Sequence, residues 1–256
     1  MNIPLNTVFN PTVNGPLHLG HVYLIKVNEA EAHSGSGKFT VRFDDTQAYW
    51  LDRLSWQDVD TFKRIAVDDL LWLGISVDRY CSQSEMHIEA AKRLAARCHE
   101  AGIAVPVDNY GESAFPSVRW NTVQPYPFSP FKTAEKVIMD DMNDVSLKIR
   151  GEDLYGEYSA YCLYRHLFRM FQPVQEFVAR LQFSKNGDTG DVSKTAANLK
   201  VIDLRAQGAR PGEIMEALAM ACLKNPGLPW RLDNLLPYPV LNLVERNGNQ
   251  TTETAA

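Results

Sequence analysis

Cysteine is scarce in this chain of 256 residues: Cys81, Cys98, Cys162 and Cys222 stand far apart with no Cys-x-x-Cys pair. Neither a zinc site nor a disulfide framework is therefore indicated, and packing thiols are the default reading. Long apolar runs are missing too, and the start Met1-Asn2-Ile3-Pro4 has no basic region followed by an apolar stretch. No membrane partner is expected, and the chain reads as cytosolic. Positive charge is not in excess, the formal net charge being -5, so any contact with nucleic acid must come from a local patch. A Walker loop is absent as well. Gly35-Ser36-Gly37-Lys38 imitates its end, but Ala32 stands where the motif needs glycine and Phe39 where it needs Ser or Thr. That stretch is read as a helix-to-strand turn.

What the chain does have is concentrated in residues 10 to 21, Asn-Pro-Thr-Val-Asn-Gly-Pro-Leu-His-Leu-Gly-His. A turn rich in Pro, Asn and Gly gives way there to the periodic apolar residues Val22, Leu24, Ile25, Val27 and Ala30, which predict a helix. The first amides of a helix lack partners and carry the positive end of its dipole, so His18 and His21 at such a start suit a phosphate. Gly20 lets a flat ligand approach the backbone. A metal pair is the competing reading, but no third ligand stands nearby and no Glu lies inside the pair.

Beyond this point strands and helices alternate as a parallel sheet requires. Phe39, Val41 and Phe43 alternate with polar residues, predicting a strand with one core face whose carboxyl end delivers Asp44 and Asp45. Ser55 is placed as the cap of a helix to about Leu73, and Ser84 as the cap of another from Glu85 to Cys98, closed by Gly102. Residues 104 to 133 read as a short irregular insertion. Val145, Leu147 and Ile149 predict a strand that ends at Arg150, and the aromatic stripe from Tyr155 and Tyr158 through Tyr161, Tyr164, Phe168 and Phe171 predicts core packing. A strand from Phe177 to Phe183, a polar loop from Ser184 to Lys194, and helices over Ala196 to Gln207 and Gly212 to Leu223 complete the reading. The expected division is a Rossmann-like α/β catalytic domain over 1–184, a mobile loop with a helical appendage over 185–245, and a disordered tail over 246–256.

Four segments in order resemble the catalytic domain of class I aminoacyl-tRNA synthetases, the glutamyl and glutaminyl branch. Phe9, Pro11, Gly15, Leu17, His18 and Gly20 match its Phe-x-Pro-x-Pro-x-Gly-x-Leu-His-x-Gly element, with Val13 in place of the second proline. Residues Gly37 to Thr46 match its Gly-Lys-x-x-x-Arg-[Ile/Phe]-[Glu/Asp]-Asp-Thr strand. Asp140-Asp141 through Arg150-Gly151-Glu152-Asp153-Leu154 match a third stretch, and Val192-Ser193-Lys194-Thr195 lie where a flexible Lys-Met-Ser-Lys-Ser loop belongs.

The resemblance implies a doubly wound parallel sheet and an ATP-dependent activation of an amino acid, with Mg²⁺ accompanying ATP and no zinc. His18, His21 and Lys194 take the catalytic positions. Pro11, Gly20, Glu152, Asp153 and Ser193 join them around ATP, while Val8, Asn10, Thr12, Asp44 and Arg150 fall in the amino-acid pocket. Asp44 holds the α-ammonium, and Arg150 is able to hold a carboxylate. Three departures stand out. The usual pocket arginine is Val8, the first lysine of the loop is Asp191, and the insertion that grips the tRNA acceptor stem shrinks to a segment whose only cations are Arg119 and Lys132. No anticodon-binding domain is expected after residue 245. The acceptor is then tRNA or, slightly favoured, a small molecule or carrier, and a catalytically weak binding or regulatory relative is the alternative from another class.

Overall fold

The computed structural model describes residues 4–45, 54–102, 107–108, 117–118, 130–178, 181–185, 188–191, 199–223 and 240–242. The loop 192–195 and the tail lie outside them. Strand β1 (Thr7–Phe9) pairs in parallel with β2 (Phe39–Phe43), which pairs in parallel with β3 (Arg79–Ser82). Strand β6 (Leu147–Gly151) pairs in parallel with β7 (Val174–Val178). The two ladders meet at β1, where the amides of Ser146 and Leu147 donate to the Asn6 carbonyl, so the order across the sheet is β3-β2-β1-β6-β7. The short β4 (Val107–Asp108) and β5 (Ser117–Val118) form an antiparallel pair.

Helices cover both faces, as a doubly wound sheet requires. Helices α1 (Leu19–Ser34) and α2 (Trp56–Trp72) pack Val22, Ile25, Val59 and Leu70 against Phe39, Val41, Leu147 and Ile149. On the other face α3 (Gln83–Glu100), α4 (Pro130–Met142) and α5 (Tyr158–Leu167) join Met86, Leu94, Val137, Ile138 and Tyr161 in a second apolar cluster. The small helices α6 (Val201–Ala206) and α7 (Pro211–Leu223) add Val201, Ile214 and Leu218 to the first cluster. Gly37 is required where it stands: a Cβ there would meet the Leu5 backbone at 2.4 Å, which makes the lysine-bearing turn an architectural crossing.

Several expectations change. All five residues of β2 are buried, so its polar face is core as well, because Arg42 is satisfied there by buried partners. Ser82 and not Ser84 caps α3, since Ser84 bonds the Asp45 carboxylate through its amide (2.9 Å) and hydroxyl (2.5 Å). The supposed insertion ends earlier, with α4 beginning at Pro130. The strand over Phe177–Phe183 divides into β7 and β8 (Gln182–Lys185), and the expected loop contains β9 (Asp188–Asp191), antiparallel to β8. Strand β10 (Val240–Asn242) lies parallel to β8. Of the aromatic stripe, Tyr161, Tyr164 and Phe168 are buried, but Tyr155, Tyr158 and Phe171 are exposed. The described helix after the loop begins at Val201, because Lys200 is spent on a β-bridge with His18.

Two carboxylates on the helix side of the sheet make opposite contributions to stability. Asp45 is fully buried and accepts from Lys63 at 2.7 Å as well as from Ser84, tying α2 and α3 to the end of β2. Asp45→Ala leaves these donors without their partner and is expected to cost about 3 kcal/mol in urea unfolding, the size of breaking a buried ion pair. An unchanged midpoint would deny Asp45 this role. Asp69 is buried in α2 without a hydrogen-bond partner for Oδ2. Burial, against the pull of Arg205, raises its carboxyl from 3.8 to about 6. The folded chain thus binds this proton more tightly than the unfolded one, so the stabilisation is full below about pH 4 and is lost as pH rises through 6. Asp69→Asn should gain on the order of 1–3 kcal/mol at pH 7.5 and almost nothing at pH 4, read as the difference between paired denaturant curves.

Candidate active site

Because the five strands run parallel, their carboxyl ends share one rim, and the segments leaving β1, β2 and β6 carry the residues singled out in the sequence. The turn after β1 is pinned to the end of β2: the Asp44 amide donates to the Pro11 carbonyl at 2.8 Å and the Val13 amide to the Asp44 carbonyl at 3.0 Å. Thr12 and Asp44 thereby form a parallel bridge beyond the regular ladder. Asn10, Pro11, Thr12 and Asp44 are thus brought together, with the Asp44 side chain buried.

His18 is the N-cap of α1, in extended backbone at φ -114° and ψ 166°, and no acidic residue stands in the first turn. The helix dipole is therefore unopposed by side chains of its own first turn. The rings of His18 and His21 stack with centroids 3.7 Å apart at 24°, and Phe9 meets His21 edge-on at 6.0 Å. His21 Nδ1 accepts a long hydrogen bond of 3.5 Å from the His18 amide. In the neutral ring that contact puts the proton on Nε2, which becomes a donor. Gly20 occupies the second position of the helix, between the two histidines in sequence.

The turn is also held from the far end of the chain. Leu19 donates to the Leu199 carbonyl at 3.0 Å and Val201 to the Leu17 carbonyl at 2.9 Å, on either side of the antiparallel His18–Lys200 bridge. Ser193 and Lys194 fall outside the described residues, yet their chain re-enters the described structure directly against the histidine turn.

Below the rim lies a layer of buried charge whose members Arg42 and Asp140 fall in matched motifs that give them no role. Asp140, fully buried, accepts from Arg42 Nη2 at 2.7 Å, from Tyr161 at 2.8 Å and from Lys148. Burial alone would raise its carboxyl, but Lys148 and Arg42 outweigh burial and hold it well below the usual carboxylate range. Burial in turn pulls Lys148 down to about 7 against the attraction of Asp140. Arg42 also donates to Asn10 Oδ1 at 2.7 Å and Asn143 Oδ1 at 3.1 Å, so it fixes a rim residue without facing the rim itself. The signal present in the sequence was a cation flanked by apolar residues in each of two strands, Arg42 and Lys148, which needs a buried partner once both faces of the sheet are covered.

Arg150 ends β6 buried, and its partners are Glu157 (Nη1, 3.3 Å) and Gln175 (Nη2, 2.7 Å), not the neighbouring Glu152. Its guanidinium lies over the rings of Phe177 and Tyr161, 5.1 and 5.6 Å from their centroids. Burial lowers its affinity for the proton, opposed by Glu157. Nε has no hydrogen-bond partner, so one donor remains uncommitted. Glu152 and Asp153 open the 3₁₀ turn Glu152–Glu157 that follows β6, at the same rim. Val8 is buried within β1, opposite Thr40. Among the described residues no three His, Cys, Asp or Glu side chains gather as a metal site, and no helix is long and apolar enough to cross a membrane.

Residues 4–113 match the family model described as tRNA synthetases class I (E and Q), catalytic domain. A glutamine--tRNA ligase of Pseudoalteromonas atlantica is 27% identical over 191 residues, covering 73% of this chain and 32% of the relative. A glutamate--tRNA ligase of Methanococcus maripaludis is 26% identical over 160 residues, covering 59% and 27%. The chain thus spans about a third or less of the length of these curated relatives. Among solved structures, a glutamate tRNA ligase from Elizabethkingia meningosepticum superposes with a TM-score of 0.60 at 15% identity, over 86% of this chain and 61% of that one, a likeness of fold. With the turn after β1, the Asp-Asp strand end and the doubly wound sheet in the same order, residues 4–113 carry the class I (E and Q) catalytic-domain pattern, and the chain is similar to the glutamyl and glutaminyl branch of the class I aminoacyl-tRNA synthetases.

Proposed function

We propose that the rim is an amino-acid activation site, in which the carboxylate of an amino acid attacks the α-phosphorus of ATP, pyrophosphate leaves and an aminoacyl-adenylate remains. The observation that carries this reading is the pair of stacked imidazoles at the N-terminus of α1, which has no acidic residue in its first turn, reached by the same β1–α1 turn that is pinned to the buried Asp44. Stacking places two donor edges within reach of one phosphate chain, where preorganised donors act most strongly. Pro11 and Gly20 leave the backbone open to the nucleotide, Glu152 and Asp153 border it, and Asp44 takes the α-ammonium with Asn10 and Thr12 beside it. Lys194 precedes Lys200 by six residues, so the chain keeps it within about 20 Å of the His18 bridge; with Ser193 it is assigned to the pyrophosphate. Mg²⁺ fits as an ion that arrives on the phosphates of ATP, its usual mode, and adds charge there.

The relatives' names support tRNA as the acceptor class. They lend nothing to the small or carrier acceptor that the short insertion favours from sequence, and transfer to tRNA is therefore the reading adopted.

Exchange of labelled pyrophosphate into ATP, run with each amino acid in the absence and presence of total tRNA, tests activation. Replacing His18 or His21 by Ala should lower turnover by a factor on the order of 10² to 10³, the effect of losing one preorganised donor. Wild-type exchange in either variant at saturating substrate would remove the histidines from the mechanism.

The same panel identifies the amino acid. Four cations are buried in the described structure, and each already faces a carboxylate: Arg42 and Lys148 face Asp140, Arg150 faces Glu157 and Arg165 faces Asp141. With Val8 in the pocket wall, a γ-carboxylate would find among the buried cations of the described residues only the Nε edge of Arg150. L-Glutamate should therefore rank below an uncharged amino acid by at least tenfold in exchange rate, as expected for a buried charge short of a partner. Glutamate emerging as the best substrate would refute this.

A further inference from the structure

Away from the rim, α2 and α6 enclose a groove of about 570 Å³ lined by Arg64, Ile65, Asp69, Ile202, Arg205 and Ala206 among others, with none of the rim residues in its wall. Its volume lies in the range of small-molecule sites. Its charges are unevenly committed. Arg205 donates to Asp68 at 2.6 Å and lies over the Trp72 ring, 5.3 Å from the centroid, so that pair is neutral and held. Arg64 is exposed and makes only long contacts within its own helix, 3.4 Å to the Asp60 carbonyl and 3.3 Å to Thr61 Oγ1. Asp69 is 2% exposed, lines the groove, and its Oδ2 has no hydrogen-bond partner.

A buried acceptor left without a donor calls for an explanation, because proteins satisfy nearly all such atoms. No described residue supplies that donor, and the groove that Asp69 lines offers a route for one from outside the chain. The complement of one unpaired carboxylate and one loosely held guanidinium is a ligand with one ammonium and one carboxylate, and Ile65, Ile202 and Ala206 supply apolar walls between them. We propose that this groove is a second binding site, taking a small aliphatic zwitterion of amino-acid or dipeptide size with its ammonium on Asp69 and its carboxylate on Arg64. The assignment does not rest on the activation reading of the rim. The lowered acidity of Asp69, which burial holds near 6, agrees with an acceptor awaiting a cationic partner. Helix α6 follows directly on the Leu199–Val201 segment that is stapled to the histidine turn, so a ligand in the groove touches the same element that anchors the turn.

Calorimetric titration of the full chain without ATP tests the site, with L-leucine and L-leucylglycine as probes of the two sizes. Isopentylamine and 4-methylpentanoate serve as the probes lacking one charge each. At least one zwitterion should bind, and both single-charge analogues should bind at least tenfold more weakly. Asp69→Asn, which keeps the shape of the side chain, and Arg64→Gln, on the surface, should each weaken binding at least tenfold, while Asp44→Asn should leave it unchanged. Absence of binding by both zwitterions at millimolar concentration, unaltered affinity in Asp69→Asn, or loss of binding in Asp44→Asn would overturn the proposal, the last by tracing the heat to the rim.

Discussion

The rim exists because one carboxylate is buried beneath it. Asp140 gathers donors from β2, β6 and α5 at a single point, and each donor is itself a buried group that could not be left unsatisfied. A charge taken out of water is tolerated only when its hydrogen-bonding capacity is filled, and the partial filling of such a network is worse than none. The arrangement therefore has a narrow optimum, and it fixes where β2 and β6 stand relative to the helix layer. Arg42 carries that constraint upward. With one edge on Asp140 and another on Asn10, it converts the position of a core carboxylate into the position of a residue at the site.

The adjacent acids Asp44 and Asp45 illustrate the same economy of placement. Consecutive residues of an extended chain point to opposite sides, so two identical side chains leave the end of β2 in different directions. Asp45 is consumed by Lys63 and Ser84, whereas the Asp44 backbone is braced by the turn after β1. One carboxylate secures the helices and its neighbour reaches the rim.

What the sequence made legible follows from where periodicity and local chemistry act alone. The helix at Leu19, the strand at Phe39 and the helix capped by Ser55 each declare themselves within a few residues, and the parallel sheet follows from their alternation. The polar face of β2 was misjudged because Thr40 and Arg42 look solvent-facing until Asp140, a hundred residues away, is folded against them. Helix α4 was hidden behind a segment rich in Pro and aromatics, and β10 pairs with β8 across an interval that no local pattern spans. At the site, motif order singled out His18, His21 and Asp44, which stand on the segments leaving β1 and β2. It did not foresee that Arg150 would be engaged by Glu157 and Gln175, because these partners lie beyond the motif that drew attention to it.

The bridge between His18 and Lys200 also has a bearing on how the molecule is made. The histidine turn is synthesised well before Leu199–Val201, the segment that closes over it. Joining ends so far apart in sequence costs loop-closure entropy that no local contact repays early, and such pairings form late in folding. A ribosome-bound chain that has completed the first three strands would hold α1 in place while its N-terminus remained unstapled. The competence of the turn is thus deferred until nearly the whole described sheet has assembled, which couples the birth of the site to the completion of the fold.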